Sequence, residues 1–209
     1  PDPVSVDVGD ARLACWHRPA APGQRTFLHF HGNGEVVADY LPDYAAAIAD
    51  MGVGVFMAEY RGYGGSTGTP QLGRMLSDVQ AVVRHLDLPE DQLIVYGRSV
   101  GAIFAAELAA RYPGIAGLIL ESGVADVFQR LALRMRPEEL GVTLARFRQE
   151  TDARLNHATK LGAYSGPLLV LHARDDDLVT PDHAVANHGY AAGDRKQLVW
   201  FDYGGHNGL

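Results

Sequence analysis

Short apolar runs recur along the chain and predict the strands of a mostly parallel sheet. Val4 to Asp10 alternates apolar and polar residues, and the turn at Gly9-Asp10 joins it to residues 11–17, which predicts an antiparallel hairpin. Six runs of four to eight mostly apolar residues follow at 26–31, 53–60, 93–96, 117–120, 167–172 and 197–203. Uninterrupted runs of this kind are typical of parallel strands that are covered on both faces.

Segments that favour helix separate most of these runs. Apolar residues recur at helical spacing over 36–51 and 72–86, residues 100–111 are rich in alanine, and 181–192 is also predicted to be helical. Strands that alternate with helices predict an α/β fold: a mostly parallel twisted sheet, helices on both faces and the N-terminal antiparallel hairpin at one edge. Active sites of such sheets form at the carboxyl ends of the strands.

The segment 123–164 breaks this alternation, because it is longer than one crossover helix needs. We interpret it as a small helical cap over the site. Its apolar residues are interleaved with arginines at 130, 134, 136, 146 and 148. These arginines are consistent with attraction of an acidic substrate. The interpretation that we favour is a solvated face whose side-chain stems cover apolar surface.

Composition is that of one globular domain spanning residues 1–209. The chain is 47% hydrophobic and 21% charged, and its net charge of −7 argues against a nucleic-acid surface. No apolar run reaches membrane-spanning length and no signal peptide is visible, so we expect a cytoplasmic protein without a membrane span. Cys15 is the only cysteine, which excludes an intrachain disulfide, and we expect a buried, inert thiol.

The strongest candidate for chemistry is Ser99, in the sequence Gly97-Arg98-Ser99-Val100-Gly101. This Gly-x-Ser-x-Gly motif lies between a predicted strand and a predicted helix, where a sharp turn would present the hydroxyl above the sheet. The backbone N–H of Val100, at the start of the helix, would be free to bind an oxyanion. The motif alone also fits an ordinary turn between strand and helix, so the nucleophile needs supporting partners.

A base and an acid follow later strands. His206 comes just after the last predicted strand and is the best candidate base. The base needs a carboxylate, and the three aspartates Asp175, Asp176 and Asp177 follow the run at 167–172; a metal site made from them is the less favoured alternative. The order Ser, Asp, His is that of the α/β-hydrolases.

A second oxyanion donor should come from the loop His31-Gly32-Asn33-Gly34, after the strand at 26–31. We choose the N–H of Asn33, with that of Gly34 as the alternative, and interpret His31 as a structural residue. The glycine-rich loop at 61–70 fails the dinucleotide-binding pattern, since Thr67 stands where the third glycine is required.

Motifs along nearly the whole chain resemble the α/β-hydrolase superfamily. They are HGNG at 31–34, EYRGYGGSTGTP at 59–70, GRSVGA at 97–102, PLLVLHARDDDLVTP at 167–181 and GGHNG at 204–208. The chain is most similar to small bacterial serine hydrolases with a minimal cap, which are similar in turn to the α/β-hydrolase-domain depalmitoylating thioesterases. The resemblance favours Asp176 as the acid, because two aliphatic residues follow at 178 and 179, whereas the spacing to Pro181 favours Asp177. It also implies a helix after the histidine, yet the sequence ends at Leu209.

These observations predict a serine hydrolase acting on small-molecule esters or thioesters through an acyl-enzyme on Ser99. No cofactor and no metal is expected, and the oligomeric state is left open. A serine aminopeptidase is the enzymatic alternative, with Glu35 or Glu121 as an anchor for the substrate amine. A hydrolase-fold binding protein without activity is the non-enzymatic alternative.

Overall fold

An eight-stranded sheet forms the centre of the protein. The computed structural model describes residues 2–41 and 43–209. Its strands are β1 (Asp2–Asp7), β2 (Arg12–Arg18), β3 (Thr26–Phe30), β4 (Gly54–Ala58), β5 (Leu93–Arg98), β6 (Gly117–Glu121), β7 (Leu168–Ala173) and β8 (Lys196–Phe201). They are arranged in the order β1-β2-β4-β3-β5-β6-β7-β8, and only the β1–β2 and β2–β4 pairs are antiparallel. The predicted parallel sheet with an antiparallel N-terminal hairpin is confirmed.

Seven α-helices surround the described part of the sheet. They are α1 (Asp43–Asp50), α2 (Leu72–Leu86), α3 (Gly101–Arg111), α4 (Val127–Ala132), α5 (Leu144–Leu155), α6 (His157–Gly162) and α7 (Pro181–Tyr190). Three short 3₁₀ segments lie at Val37–Tyr40, Glu90–Gln92 and Pro137–Leu140.

The prediction of a single helix over 36–51 is wrong. A 3₁₀ segment over Val37–Tyr40 ends at Leu41, which has the extended backbone angles φ −105° and ψ 142°, and α1 begins at Asp43. The residue that precedes a proline is disfavoured in the α conformation, and Pro42 follows Leu41 in the sequence. Pro42 itself lies outside the described residues.

Side chains of β4 show how the sheet separates two apolar clusters. Val55 and Met57 pack in a small cluster with Ala45 and Ala49 of α1. Phe56 belongs to the larger cluster, which includes residues of α2 and α3. Successive residues of a strand point to opposite faces, so one strand contributes to both clusters.

The segment 123–164 contains α4, the 3₁₀ segment Pro137–Leu140, α5 and α6. Helices α4 and α5 contact each other, whereas α6 contacts α3 and α7. Asp126 caps α4 by accepting a hydrogen bond from the N–H of Gln129 at 2.8 Å. Nδ1 of His183, on α7, accepts from the N–H of Ala125 at 3.0 Å, which fixes the chain just before α4. None of the helices in the described ranges is long and apolar enough to cross a membrane.

Acidification is expected to lower the free energy of unfolding, in part through His157. Burial, only partly offset by the hydrogen bond with Asn187, lowers the pKa of His157 to about 4. A histidine in an unfolded chain has a pKa of about 6.5, so between these two values the unfolded state binds more protons than the folded state. Stability is therefore present above about pH 6.5 and is lost as the pH falls towards about 4, by about 3 kcal/mol for the full shift. Burial also lowers the pKa values of His29 and His183, which act in the same direction.

Urea unfolding of the wild-type protein and of His157→Gln at a series of pH values from about 7 to about 4.5 measures this effect. The variant should lose less stability on acidification than the wild-type protein. The same pH dependence in both proteins would contradict the role of His157.

Candidate active site

Ser99 lies in a sharp turn between β5 and α3. Its backbone is left-handed, with φ of 53°, and its N–H donates to the carbonyl of Glu121 at 2.9 Å. A Cβ on Gly101 would lie 2.2 Å from the carbonyl oxygen of Phe30, and one on Gly97 would lie 2.5 Å from the carbonyl oxygen of Gly101. Both glycines are therefore required for β3, β5 and α3 to approach each other at this turn, which holds the serine in its strained conformation.

The three residues predicted to form the catalytic triad are hydrogen-bonded in series. Nε2 of His206 lies 2.9 Å from Oγ of Ser99, and Nδ1 of His206 lies 2.8 Å from Oδ2 of Asp176. Ser99 and Asp176 are 7% and 2% exposed, so only the edge of this series meets solvent. The second oxygen of Asp176 accepts from the N–H groups of Leu178 and Val179 at 3.0 and 2.9 Å. These two hydrogen bonds fix the carboxylate that faces the imidazole.

The three consecutive aspartates have different surroundings. Only Asp176 reaches His206. Oδ1 of Asp175 accepts from the N–H of Gly205 at 2.8 Å, which ties the loop after β7 to the loop that carries His206. Asp177 is exposed. Among the described residues, no group of three or more histidine, cysteine, aspartate or glutamate side chains is arranged to hold a metal ion.

Val100 and Asn33 line the same pocket as Ser99. Neither N–H has an acceptor among the described residues. The hydroxyl of Tyr63 donates to Oδ1 of Asn33 at 2.9 Å. The N–H of the preceding Gly32 donates to Glu35 and is not free to bind substrate. Gly34 does not line the pocket.

Arg98 connects the nucleophile turn to two other loops and to the end of β6. Its Nη2 donates to the carbonyl oxygen of His206 at 2.7 Å and to Oδ1 of Asn207 at 2.8 Å. Its Nη1 donates to Glu35, and its Nε lies 3.4 Å from the carboxylate of Glu121. The guanidinium is mostly buried and can make several directed hydrogen bonds at once. It therefore holds the histidine loop in position relative to Ser99.

Sequence reasoning missed this role of Arg98. The signal was a charged residue next to the serine, at the end of an otherwise apolar strand. Its partners are as far as 109 residues away in the chain, so no spacing rule could have found them.

His31 and Cys15 also carry groups that can react, and both side chains are buried. His31 is fully buried between the carbonyl oxygen of Gly32, 2.9 Å from Nδ1, and the carboxylate of Glu59, 2.7 Å from Nε2. It braces the loop that carries Asn33. Cys15 is also buried, and burial raises the pKa of its thiol to about 12. The thiol is therefore protonated at neutral pH and a poor nucleophile.

A pocket of about 390 Å³ opens above Ser99. Its wall combines apolar side chains from α2, α3 and α4 with the groups around Ser99 and His206. The apolar lining residues include Leu72, Met75, Ile103, Val124, Val127 and Leu131. This volume lies within the usual range of about 300–1,000 Å³ for sites that bind small molecules.

Comparison with known proteins identifies the family. A family model described as "Serine aminopeptidase, S33" matches residues 21–150, which is more than half of the chain. The chain belongs to this α/β-hydrolase family. The hydrolase is 28% identical over 223 residues to the uncharacterized protein YfhR of Escherichia coli, and the match covers 99% of this chain and 75% of YfhR. It is 27% identical to the mouse α/β hydrolase domain-containing protein 17C, with 96% of this chain covered. The chain spans only 60% of the length of that relative.

The fold of the hydrolase matches that of solved esterase structures. Est1E from Butyrivibrio proteoclasticus, solved with ferulic acid bound, superposes with a TM-score of 0.78 at 18% identity, covering 97% of this chain and 90% of that chain. The predicted α/β-hydrolase fold is thereby confirmed.

Proposed function

We propose that the protein is a serine hydrolase that cleaves carboxylic esters or thioesters through an acyl-enzyme on Ser99. The observation that carries this proposal is the hydrogen-bonded series Ser99–His206–Asp176, with distances of 2.9 and 2.8 Å. A serine hydroxyl is a weak nucleophile until a base accepts its proton, and this geometry supplies the base and the group that orients it.

The reaction follows from these positions. Oγ of Ser99 bonds to the acyl carbon while its proton passes to Nε2 of His206. The tetrahedral intermediate then collapses, the bond to the alcohol or thiol breaks, and His206 returns the proton to the leaving group. Water then attacks the acyl-enzyme by the same route and releases the carboxylic acid. Asp176 holds the proton on Nδ1 and stabilises the imidazolium throughout.

The N–H groups of Val100 and Asn33 form the oxyanion hole in this proposal. Both residues line the pocket beside Ser99, and neither N–H has a competing acceptor among the described residues. Donors of this kind stabilise the charge that develops on the acyl oxygen in the transition state, by roughly 3–4 kcal/mol each.

The segment 123–164 acts as a small cap in this proposal, and α4 is the helix of this cap that borders the pocket. Val127 and Leu131 of α4 line the pocket above Ser99, which lets them exclude water and bind the apolar part of a substrate. The small apolar pocket supports a small-molecule substrate.

The name of the family model makes a serine aminopeptidase the main alternative. An aminopeptidase needs a free carboxylate to bind the substrate's ammonium group. Glu35 is engaged by Arg98, by the N–H of Gly32 at 2.6 Å and by the hydroxyl of Tyr40 at 2.5 Å. Glu121 is engaged by Tyr96 and Arg98. Neither proposed anchor is free, so the geometry favours an esterase or thioesterase.

Labelling with a fluorophosphonate tests the nucleophile, and a substrate panel tests the reaction. Intact mass and peptide mapping should place the label on Ser99 of the wild-type protein, and Ser99→Ala should remain unlabelled. The panel compares p-nitrophenyl esters, acyl thioesters and aminoacyl p-nitroanilides, and an ester or thioester should be turned over fastest. Preference for the anilides would favour the aminopeptidase. A folded wild-type protein that is neither labelled nor active would favour the binding protein.

A further inference from the structure

Some of the charged side chains that line the pocket above Ser99 have an ion-pair partner and others have none. Four charged side chains line this pocket besides His206, and they are Glu35, Arg98, Arg130 and Arg134. Glu35 and Arg98 form an ion pair with each other. Arg130 and Arg134 have no carboxylate of the described residues within ion-pair distance. Two uncompensated positive charges therefore border the site of a protein whose net charge is −7.

Arg130 lies on α4, and Arg134 lies in the turn that directly follows this helix. The N–H of Arg134 donates to the carbonyl oxygen of Leu131, on α4, at 2.9 Å. Asp126 caps the start of this helix, and His183 accepts the N–H of Ala125 immediately before it. Arg130 is half-buried, so part of its solvation is already lost before a ligand binds. Arg130 is therefore carried by a fixed helix at the pocket wall, and the exposed Arg134 follows directly after that helix.

Other arginines of the segment 123–164 behave differently. Arg146 and Arg148 each form an ion pair one turn along α5, with Glu150 and Asp152. Arg136 and Arg154 are exposed and do not line the pocket. The unpaired arginines that border the pocket are therefore those whose position would let them contact a substrate bound to Ser99.

We propose that Arg130 and Arg134 bind an anionic oxygen group of the substrate, so that the preferred substrate is an ester or thioester that also carries a carboxylate. This inference rests on the proposed function of the same site. Guanidinium groups form paired, charge-assisted hydrogen bonds with carboxylates. The apolar wall of the pocket binds the part of the substrate between the carboxylate and the scissile bond, which Ser99 attacks as described above. The same positive charges disfavour the ammonium group of an aminopeptidase substrate.

Matched pairs of esters test this inference. In the first pair the charge is on the acyl side, and p-nitrophenyl butyrate is compared with mono-p-nitrophenyl glutarate. In the second pair it is on the leaving group, and the butyrate ester of methyl 4-hydroxybenzoate is compared with that of 4-hydroxybenzoate. The measured quantity is kcat/KM for the anionic ester relative to its neutral partner, in the wild-type protein and in variants. Comparing variants on the same ester removes the intrinsic reactivity of each ester from the result.

The double variant Arg130→Gln/Arg134→Gln should lower kcat/KM for the anionic ester of at least one pair by roughly 10- to 100-fold. Its kcat/KM for the neutral esters should change by less than about threefold, which also shows that the variant is folded and active. Arg136→Gln is the control, because it removes one positive charge from the same segment outside the pocket, and it should leave the preference unchanged. Added salt should weaken the preference of the wild-type protein.

Four results would overturn the inference. Equal losses of kcat/KM on the anionic and neutral esters of both pairs would show that the arginines contribute only to the folded structure and do not bind the substrate. A loss of preference in Arg136→Gln as large as in the double variant would show that only the general charge of the segment matters. The wild-type protein could hydrolyse neutral esters while the double variant keeps the wild-type kcat/KM for anionic esters. The inference then fails and the proposed function stands. If the wild-type protein hydrolyses no ester and Ser99 is not labelled, both fail.

Discussion

Replacing either Ser99 or His206 by alanine should lower kcat for ester hydrolysis by about 10⁵- to 10⁶-fold. Ser99→Ala removes the atom that bonds to the acyl carbon. His206→Ala leaves that hydroxyl with no base, because Nε2 of His206, at 2.9 Å, is the only side-chain acceptor of Oγ among the described residues. The two side chains act on the same proton, so the double variant should be no slower than the slower of the single variants. Initial rates with p-nitrophenyl esters at high enzyme concentration measure all three losses.

Ser122→Ala is the matched control for this experiment. Ser122 is also a buried serine with a left-handed backbone, with φ of 44°, at the end of the neighbouring strand β6. Its hydroxyl has no hydrogen-bond partner in the described part of the chain. Loss of this hydroxyl should therefore leave kcat within a few-fold of the wild-type value. A Ser99→Ala variant that keeps wild-type turnover would show that another group carries the reaction and would overturn the proposed function.

Most of the fold could be predicted because its signals are local. The apolar face of α2 recurs at helical spacing, and the predicted bounds 72–86 are those of the structure. The parallel strands are apolar runs, since they are buried on both faces. The prediction of one helix over 36–51 was wrong because it used the spacing of apolar residues and took no account of Pro42 within the segment. Leu41, the residue before Pro42, has extended backbone angles.

The site was less predictable than the fold, because its contacts join distant loops. Ser99 could be singled out since its motif has a local cause, the close approach of strand and helix at two glycines. The three aspartates could not be separated by position, because they differ only in where their side chains point. The ion pair of Arg98 with Glu35 joins residues 63 apart and depends on how loops from different strands meet at the sheet edge. The free charges of Arg130 and Arg134 could be recognised only once the partners of the neighbouring arginines were known.

Asp176→Asn should lower kcat by about 10⁴-fold while the protein remains folded. The reason lies in the two N–H groups of Leu178 and Val179 that donate to Oδ1 of Asp176. An asparagine must direct its carbonyl oxygen at these donors, and its NH₂ group then faces Nδ1 of His206. Nδ1 would then have to accept a hydrogen bond from the NH₂ group, so the proton of the neutral imidazole would move to Nε2. His206 could then no longer accept the proton of Ser99, although every heavy atom would keep its place.

Asp177→Asn separates this effect from a general loss of charge. It removes the same carboxylate from the adjacent residue, which is exposed and has no hydrogen bond with His206 in the described part of the structure. We expect kcat within about threefold of the wild-type value, since an exposed substitution away from the site has little effect. Steady-state kinetics of both variants, with thermal unfolding to compare their stability, decides between the two aspartates. A large loss in Asp177→Asn together with a small loss in Asp176→Asn would transfer the role of the acid to Asp177. That result would also require the loop after β7 to rearrange when substrate binds, because the side chain of Asp177 would have to replace that of Asp176 beside His206.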